Sequence, residues 1–212
     1  MENQSELISG KILNHSFYRQ ETLAMAKALL GKYFQRKIKN KWLVGKIVET
    51  EAYHEVGDPS CHAHHGKTAR NEVMFGPPGR LYVYFTYGMH YCLNVVTEKE
   101  GIAAAVLIRA VEPLEGREIM QKNRGNAQLT KNLCNGPAKF CQAFGITTLQ
   151  NGHDLQSESI HITEGETIHI SEIDSDKRIG ITKGTDLPWR FLIKNNPFVS
   201  KPVQHKHRGL FE

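Results

Sequence analysis

The stretch Trp42-Leu-Val-Gly-Lys-Ile-Val-Glu-Thr-Glu-Ala-Tyr53 decides how this chain is read. Ile47 and Val48 put apolar side chains on both faces, as in a strand inside a sheet, and an acidic run follows at 49–53. Because side chains alternate along a strand, Glu49, Glu51 and Tyr53 line one face and Lys46, Thr50 and Ala52 the other. Upstream, residues 21–30 place Leu23, Ala26, Leu29 and Leu30 on one helical face, with Gly31 as the stop. Downstream, 54–80 is rich in His, Gly, Pro and polar residues; a loop that long in a compact domain is usually functional or disordered. Residues 81–87 read as a second strand carrying Tyr82, Tyr84 and Tyr87, turned by Gly88. Residues 103–111 are the most buried-looking strand, ended by Pro113, and a short helix over 115–122 follows. Asn135-Gly136-Pro137 opens another helix, with a capping residue and a first-turn proline, closed at Gly145. Short strands are expected around Ile160, Ile168 and Ile179.

The chain has 212 residues, which fits one domain with a real core, and it carries no internal repeat. Its longest apolar run, 102–110, is interrupted by Arg109 and falls far short of the roughly 20 residues a spanning helix needs. Residues 1–10 hold two acids and no apolar stretch, unlike a secretory signal. The four cysteines, Cys61, Cys92, Cys134 and Cys141, form no C-x-x-C pair, so a reduced intracellular chain is expected. Twenty-seven Lys and Arg against 22 Asp and Glu leave a net charge of +5, which suits a polyanionic partner. Seven acids and no Lys or Arg lie between 154 and 176, so a polyanion is not expected to lie there.

For chemistry, Glu51 stands out: it ends an apolar strand beside Tyr53 and faces a long loop, although a sheet-edge glutamate in a salt bridge has the same signature. Glu49 is about 7 Å away by strand rise. That lies within the ~6.5–9.5 Å between the carboxyls of inverting glycosidases, which makes a glycosidic bond a candidate substrate. Tyr82, Tyr84 and Tyr87 on a basic protein could stack nucleobases, at ~1–3 kcal/mol each, or serve packing alone. Cys61, His62, His64 and His65 look like metal ligands, with His54, Asp58 and His90 as further donors, but the spacing lacks the second ligand pair of zinc sites, and no metal is expected. P-loop, G-x-G-x-x-G, H-E-x-x-H and G-x-S-x-G motifs are absent.

The blocks Ile47-Val-Glu-Thr-Glu-Ala-Tyr53, Arg70-Asn71, Met74-Phe75, Pro78-Gly79, Leu81-Tyr-Val-Tyr84, Tyr87-Gly-Met89 and Leu107-Ile-Arg-Ala-Val-Glu-Pro-Leu-Glu-Gly116 resemble the alkyladenine (3-methyladenine) DNA glycosylase family. Asn135-Gly-Pro137, Arg178-Ile-Gly-Ile181 and Pro188-Trp-Arg-Phe191 resemble its later blocks, in order. The resemblance implies a single mixed α+β domain around a curved antiparallel sheet with peripheral helices, spanning 1–212 with flexible ends at 1–15 and 198–212. It implies a monofunctional DNA repair enzyme that flips and excises alkylated or deaminated purines (3-methyladenine, 7-methylguanine, hypoxanthine) from double-stranded DNA, without metal or cofactor.

Carried over by position, Glu51 matches the water-activating base and Arg109 a residue that orders the water and backbone at the site. Tyr53, His62 and Tyr84 match the residues that sandwich the flipped base, Asn94 the one that crowds the 2-amino group of normal guanine, and Tyr87 the wedge that enters the minor groove. His54, Glu55, Val56, His64 and His65 differ from the loop residues of many relatives, which bears on substrate range. A monomer is expected, cytoplasmic and nucleoid-associated in a bacterium or nuclear in a eukaryote, with no membrane. The alternatives are a non-catalytic damaged-DNA-binding protein on the same scaffold and a metal hydrolase built on the Cys61–His65 cluster.

Overall fold

The computed structural model describes residues 10–126 and 129–203. They form a single mixed α+β domain around a curled antiparallel half-barrel sheet, as the resemblance implies. The strands are β1 (Tyr33–Ile38), β2 (Lys41–His54), β3 (Leu81–Thr86), β4 (His90–Val96), β5 (Ala104–Glu115), β6 (Ile160–Thr163), β7 (Ile173–Asp176) and β8 (Arg190–Ile193). The described helices are α1 (His15–Tyr18), α2 (Thr22–Ala28), α3 (Arg117–Asn123) and α4 (Pro137–Ala143).

The strand read at 42–53 is the centre of the sheet, whose order is β3-β4-β5-β2-β1-β6. One edge of β2 pairs with β5; the other pairs first with β1 and then, from Glu49 to Glu51, with β8. The β2–β5 ladder slips between Ile47 and Glu49 and again between Glu49 and Thr50, which leaves Val48 and Arg109 without ladder partners. Such bulges sharpen twist and re-aim side chains. Here they curl the sheet where Glu49, Glu51 and Arg109 meet. Packed against β2, α2 and its C-cap bury Met25, Ala26 and Leu29, and the Thr50 hydroxyl donates to the Ala26 carbonyl at 2.7 Å. Phe34, Phe140 and Phe144 close the core under β1 and α4, with ring centroids 4.9–5.5 Å apart.

Several expectations are corrected. The strand from 103 does not end at Pro113: β5 pairs Pro113 with Gly45 and Glu115 with Val44, across another register shift. A proline is tolerated there because β4 pairs with β5 only at 105–107, so Pro113 sits on an edge and beside a bulge. The helix that Pro137 starts has Gly136 at its N-cap and no side-chain cap; Asn135 instead accepts a hydrogen bond from Lys139. Ile168 and Ile179 lie outside strands, and β1, β4 and α1 went unread because short elements carry little periodicity. The described parts of both ends pack on the domain: Leu13 is buried, and the Ser200 amide donates to Glu49 at 2.6 Å. For residues 1–9 and 204–212 the expectation of flexible ends lies outside the described residues.

Candidate active site

Four strands and two loops surround a cavity of about 610 Å³. β2 supplies Tyr53; β3 supplies Tyr82 and Tyr84; β4 supplies Asn94 and β5 supplies Arg109. Loop 54–80 adds His62, and the segment between β7 and β8 adds residues 179–183. Of the seven site residues read from the sequence, six line this cavity: Tyr53, His62, Tyr84, Tyr87, Asn94 and Arg109. The seventh, Glu51, is fully buried behind the wall.

Glu51 is held from three directions. The Tyr53 hydroxyl donates to one carboxylate oxygen at 2.8 Å. The Ile179 amide donates to the other at 2.8 Å, and an Arg109 guanidinium nitrogen lies 3.1 Å from that same oxygen. Burial raises the Glu51 pKa above the ordinary glutamate value, while Arg109, Ile179 and Tyr53 hold the rise back. Burial and the neighbouring Glu51 keep the Tyr53 phenol protonated, which makes it the donor of the pair.

Glu49 does not share this setting. Its carboxylate meets Arg190 at 2.9 Å, Arg109 at 3.3 Å, and the amide and hydroxyl of Ser200 at 2.6 and 2.8 Å. A carboxylate so fully saturated is a strut that fixes Arg109 and the chain near Ser200. The two-carboxylate arrangement that the strand spacing allowed is therefore not formed.

The aromatic wall has its own internal order. His62 and Tyr84 meet edge to face with centroids 4.5 Å apart, and His62 Nδ1 lies 2.8 Å from the Tyr82 hydroxyl. Burial and the nearby Arg70 lower the His62 pKa below the ordinary imidazole value, which favours the neutral ring. Tyr53 makes its ring contact with the Arg178 guanidinium, 4.6 Å away. Asn94 spends its amide nitrogen on the Tyr82 carbonyl at 3.1 Å. Tyr87 is 79% exposed at the tip of the β3–β4 hairpin, with φ of 51° followed by Gly88 at 68°. A bulky residue in the left-handed region is uncommon, and here the tight turn before Gly88 holds it there.

The histidine cluster does not converge. Among the described residues no group of three or more His, Cys, Asp or Glu side chains is placed to hold a metal ion. Asp58 is committed to Arg178, at 2.6 and 2.7 Å, and His62 to Tyr82. Asn71, Arg178 and Ile179 had no functional reading of their own, Tyr82 is expected only as a stacking or packing tyrosine, and Asp58 only as a further metal donor. Asn71 accepts from the Thr68 amide and donates to the carbonyls of His62 and Gly66, which shapes the loop that carries His62. The only sequence signal for Asn71, Arg178 and Ile179 was their place in the Arg70-Asn71 and Arg178-Ile-Gly-Ile181 blocks.

The match of residues 16–197 to a family model of DNA glycosylases sets the class. The particular family is described as methylpurine-DNA glycosylase (MPG), and the chain belongs to it. Membership places it among the DNA-binding hydrolases of base excision repair that cleave N-glycosyl bonds. A Carboxydothermus hydrogenoformans protein named "Putative 3-methyladenine DNA glycosylase" is 53% identical over 90% of this chain and 99% of its own length. Proteins of the same name from Prosthecochloris aestuarii and Francisella tularensis are 50% and 49% identical, over 96% and 86% of this chain and 99% and 95% of their own. No described helix is long and apolar enough to cross a membrane.

Proposed function

We propose that the chain flips a damaged purine nucleotide out of duplex DNA into this cavity and hydrolyses its N-glycosidic bond, leaving an intact abasic site. The substrates are 3-methyladenine, 7-methylguanine and hypoxanthine. The observation that carries the reading is Glu51: a buried carboxylate, gripped by Tyr53, Ile179 and Arg109, one layer behind a wall of aromatic rings.

In this reading Glu51 deprotonates water and its charge stabilises the oxocarbenium-like sugar, while Arg109, which touches both Glu51 and the cavity, orders the attacking water. Tyr53, His62 and Tyr84 hold the extruded base by stacking. Flipping costs a few kcal/mol, least for a damaged pair, and each stacked base returns ~1–3 kcal/mol. A neutral His62 suits a cationic purine, which the electron-rich faces of Tyr53 and Tyr84 attract. For 3-methyladenine and 7-methylguanine the leaving group is already cationic, so one carboxylate suffices. Asn94 crowds the 2-amino group of normal guanine, and Tyr87 enters the minor groove to fill the vacated stack. All these residues come from one chain, so a monomer is sufficient. The reaction uses water alone, and chelators are expected to leave it unchanged.

Release of base from methylated duplex DNA tests the reading. Wild type should release methylated purines, and Glu51→Gln should bind the lesion without releasing base. Substantial release by that variant would remove Glu51 from the role. A non-catalytic damage-binding protein would release none even as wild type.

A further inference from the structure

We propose that the buried Asp58–Arg178 pair is the positioning unit of Glu51, holding at once the Tyr53 hydroxyl and the Ile179 amide that grip its two oxygens. The proposal rests on the reading of Glu51 as the base. Neither Asp58 nor Arg178 lines the cavity, and both side chains are fully buried. They meet fork to fork, at 2.6 and 2.7 Å, the geometry in which an arginine is most rigidly held. Asp58 is itself fixed by the Ser60 amide at 3.0 Å, within the loop that forms one wall of the cavity.

Arg178 reaches the site along two routes. Along the chain it is the neighbour of Ile179, whose amide donates to Glu51 Oε1. Through space its guanidinium contacts the rings of Tyr53 and Trp189, 4.6 and 5.2 Å from their centroids, and Tyr53 donates to Glu51 Oε2. A third bond, to the Ala52 carbonyl at 2.9 Å, ties it to β2 between Glu51 and Tyr53. Displacing this one guanidinium shifts both donors together. Arg109 is the separate grip, carried by β5 and braced by Glu49.

The consequence has a sign. The charged and titratable groups facing Glu51 are Arg109 from β5, Glu49 and Tyr53 from β2, Tyr84 from β3, Cys92 from β4, and Arg178 beyond Tyr53. Hydrogen bonds to a carboxylate favour its charged form, so loosening both donors moves Glu51 titration upward. Removing the Asp58 charge in Asp58→Asn acts the other way, because one fewer anion nearby favours an ionised Glu51. Positioning and direct charge therefore predict opposite shifts in the same variant.

The experiment compares wild type, Asp58→Asn and Arg178→Lys, each checked for folding by thermal melting. Single-turnover base release from methylated duplex is followed against pH, together with lesion-duplex affinity. Carbon-13 NMR of Glu-labelled protein follows the Glu51 carboxyl directly, identified by its loss in Glu51→Gln. In Asp58→Asn the acid limb and the Glu51 titration should both rise, by about one pH unit. Release at neutral pH should fall about tenfold, a fraction of the ~10²–10⁴ that a general base supplies, with a smaller loss of lesion affinity because Tyr53 also stacks the base. Arg178→Lys, which keeps the charge but not the fork, should show a smaller rise; it carries the test alone if Asp58→Asn does not fold. A folded variant whose Glu51 titration stays put or falls overturns the proposal. A wild type that releases no base overturns the reading of Glu51 as the base, while the NMR titration still decides whether the pair positions its carboxyl.

Discussion

Glu51 carries two consequences that one raised pKa links. As a base it works only ionised, so the rate is present above its pKa and is lost as pH falls through it. Burial puts that pKa above the ordinary glutamate value, so the acid limb of the single-turnover rate should lie higher than an exposed glutamate would give. An acid limb at or below that ordinary value would mean that Arg109 and the two donors outweigh burial. For stability the sign reverses: a folded pKa above the unfolded one contributes stability below the unfolded pKa, lost as pH rises through the folded value. Glu51→Gln should then melt higher than wild type at neutral pH, and a lower melting temperature would assign net stabilisation to the Glu51–Arg109 pair. Tyr87, the proposed wedge, carries a comparable pair of consequences. Its left-handed φ of 51° stores backbone strain of about 1–3 kcal/mol. Tyr87→Gly should melt higher yet lose the fluorescence change of 2-aminopurine placed beside a lesion; an unchanged fluorescence response would put the wedge elsewhere. Alternation along β2 was enough to read Glu49, Glu51 and Tyr53 on one face. It could not tell the saturated Glu49 from Glu51, because the Arg190 and Ser200 that occupy Glu49 lie 141 and 151 residues away in the chain.

At the scale of elements, the slipped ladder between β2 and β5 does most to build the site. Regular pairing would give Val48 and Arg109 ladder partners; the two slips let Arg109 reach both glutamates. Gly45 lies one turn of the pleat upstream, where a Cβ would come within 2.8 Å of Val111 and 3.1 Å of Phe144. Gly45→Ala should cost about 1–3 kcal/mol through overpacking, read as a lower melting temperature of about 2–4 °C per kcal/mol. No loss would mean that α4 gives way freely. The long strand 42–53 was legible because a run of apolar and β-favouring residues needs no partner to be recognised. The β1 and β4 strands were not, since each becomes a strand only by pairing, β1 with β2 and β6, and β4 with β3 and β5. The sequence left loop 54–80 open as functional or disordered, because its order comes from single side chains such as Asn71 and Asp58 bonding to backbone.

Over the whole molecule, the acidic run at 154–176 is largely spent on the domain itself. Glu164 pairs with Lys32 at 2.6 Å, Glu166 with Lys46 at 3.1 Å and Asp176 with Arg190 at 2.6 Å. These pairs leave the net charge of +5 unchanged, and that excess would set affinity and salt dependence for a polyanion. Lys46 is also occupied, held by Glu112 and Glu166 in the first half of β2. Spacing could not reveal that Lys183 stands on the cavity rim, but it is solvent-exposed and lacks the burial that activates a lysine nucleophile. Borohydride should therefore trap no covalent enzyme–DNA adduct; a trapped adduct lost in Lys183→Ala would show lyase chemistry. The sequence by itself determined the central strand, the face of it that carries Glu49, Glu51 and Tyr53, and the order of the family's blocks, because these are local or follow directly from residue order. Only the tertiary structure decided what grips that carboxylate. Ile179 and Arg178 reach Glu51 and Asp58 across 128 and 120 residues, a closure that depends on how the sheet curls and that no local pattern encodes.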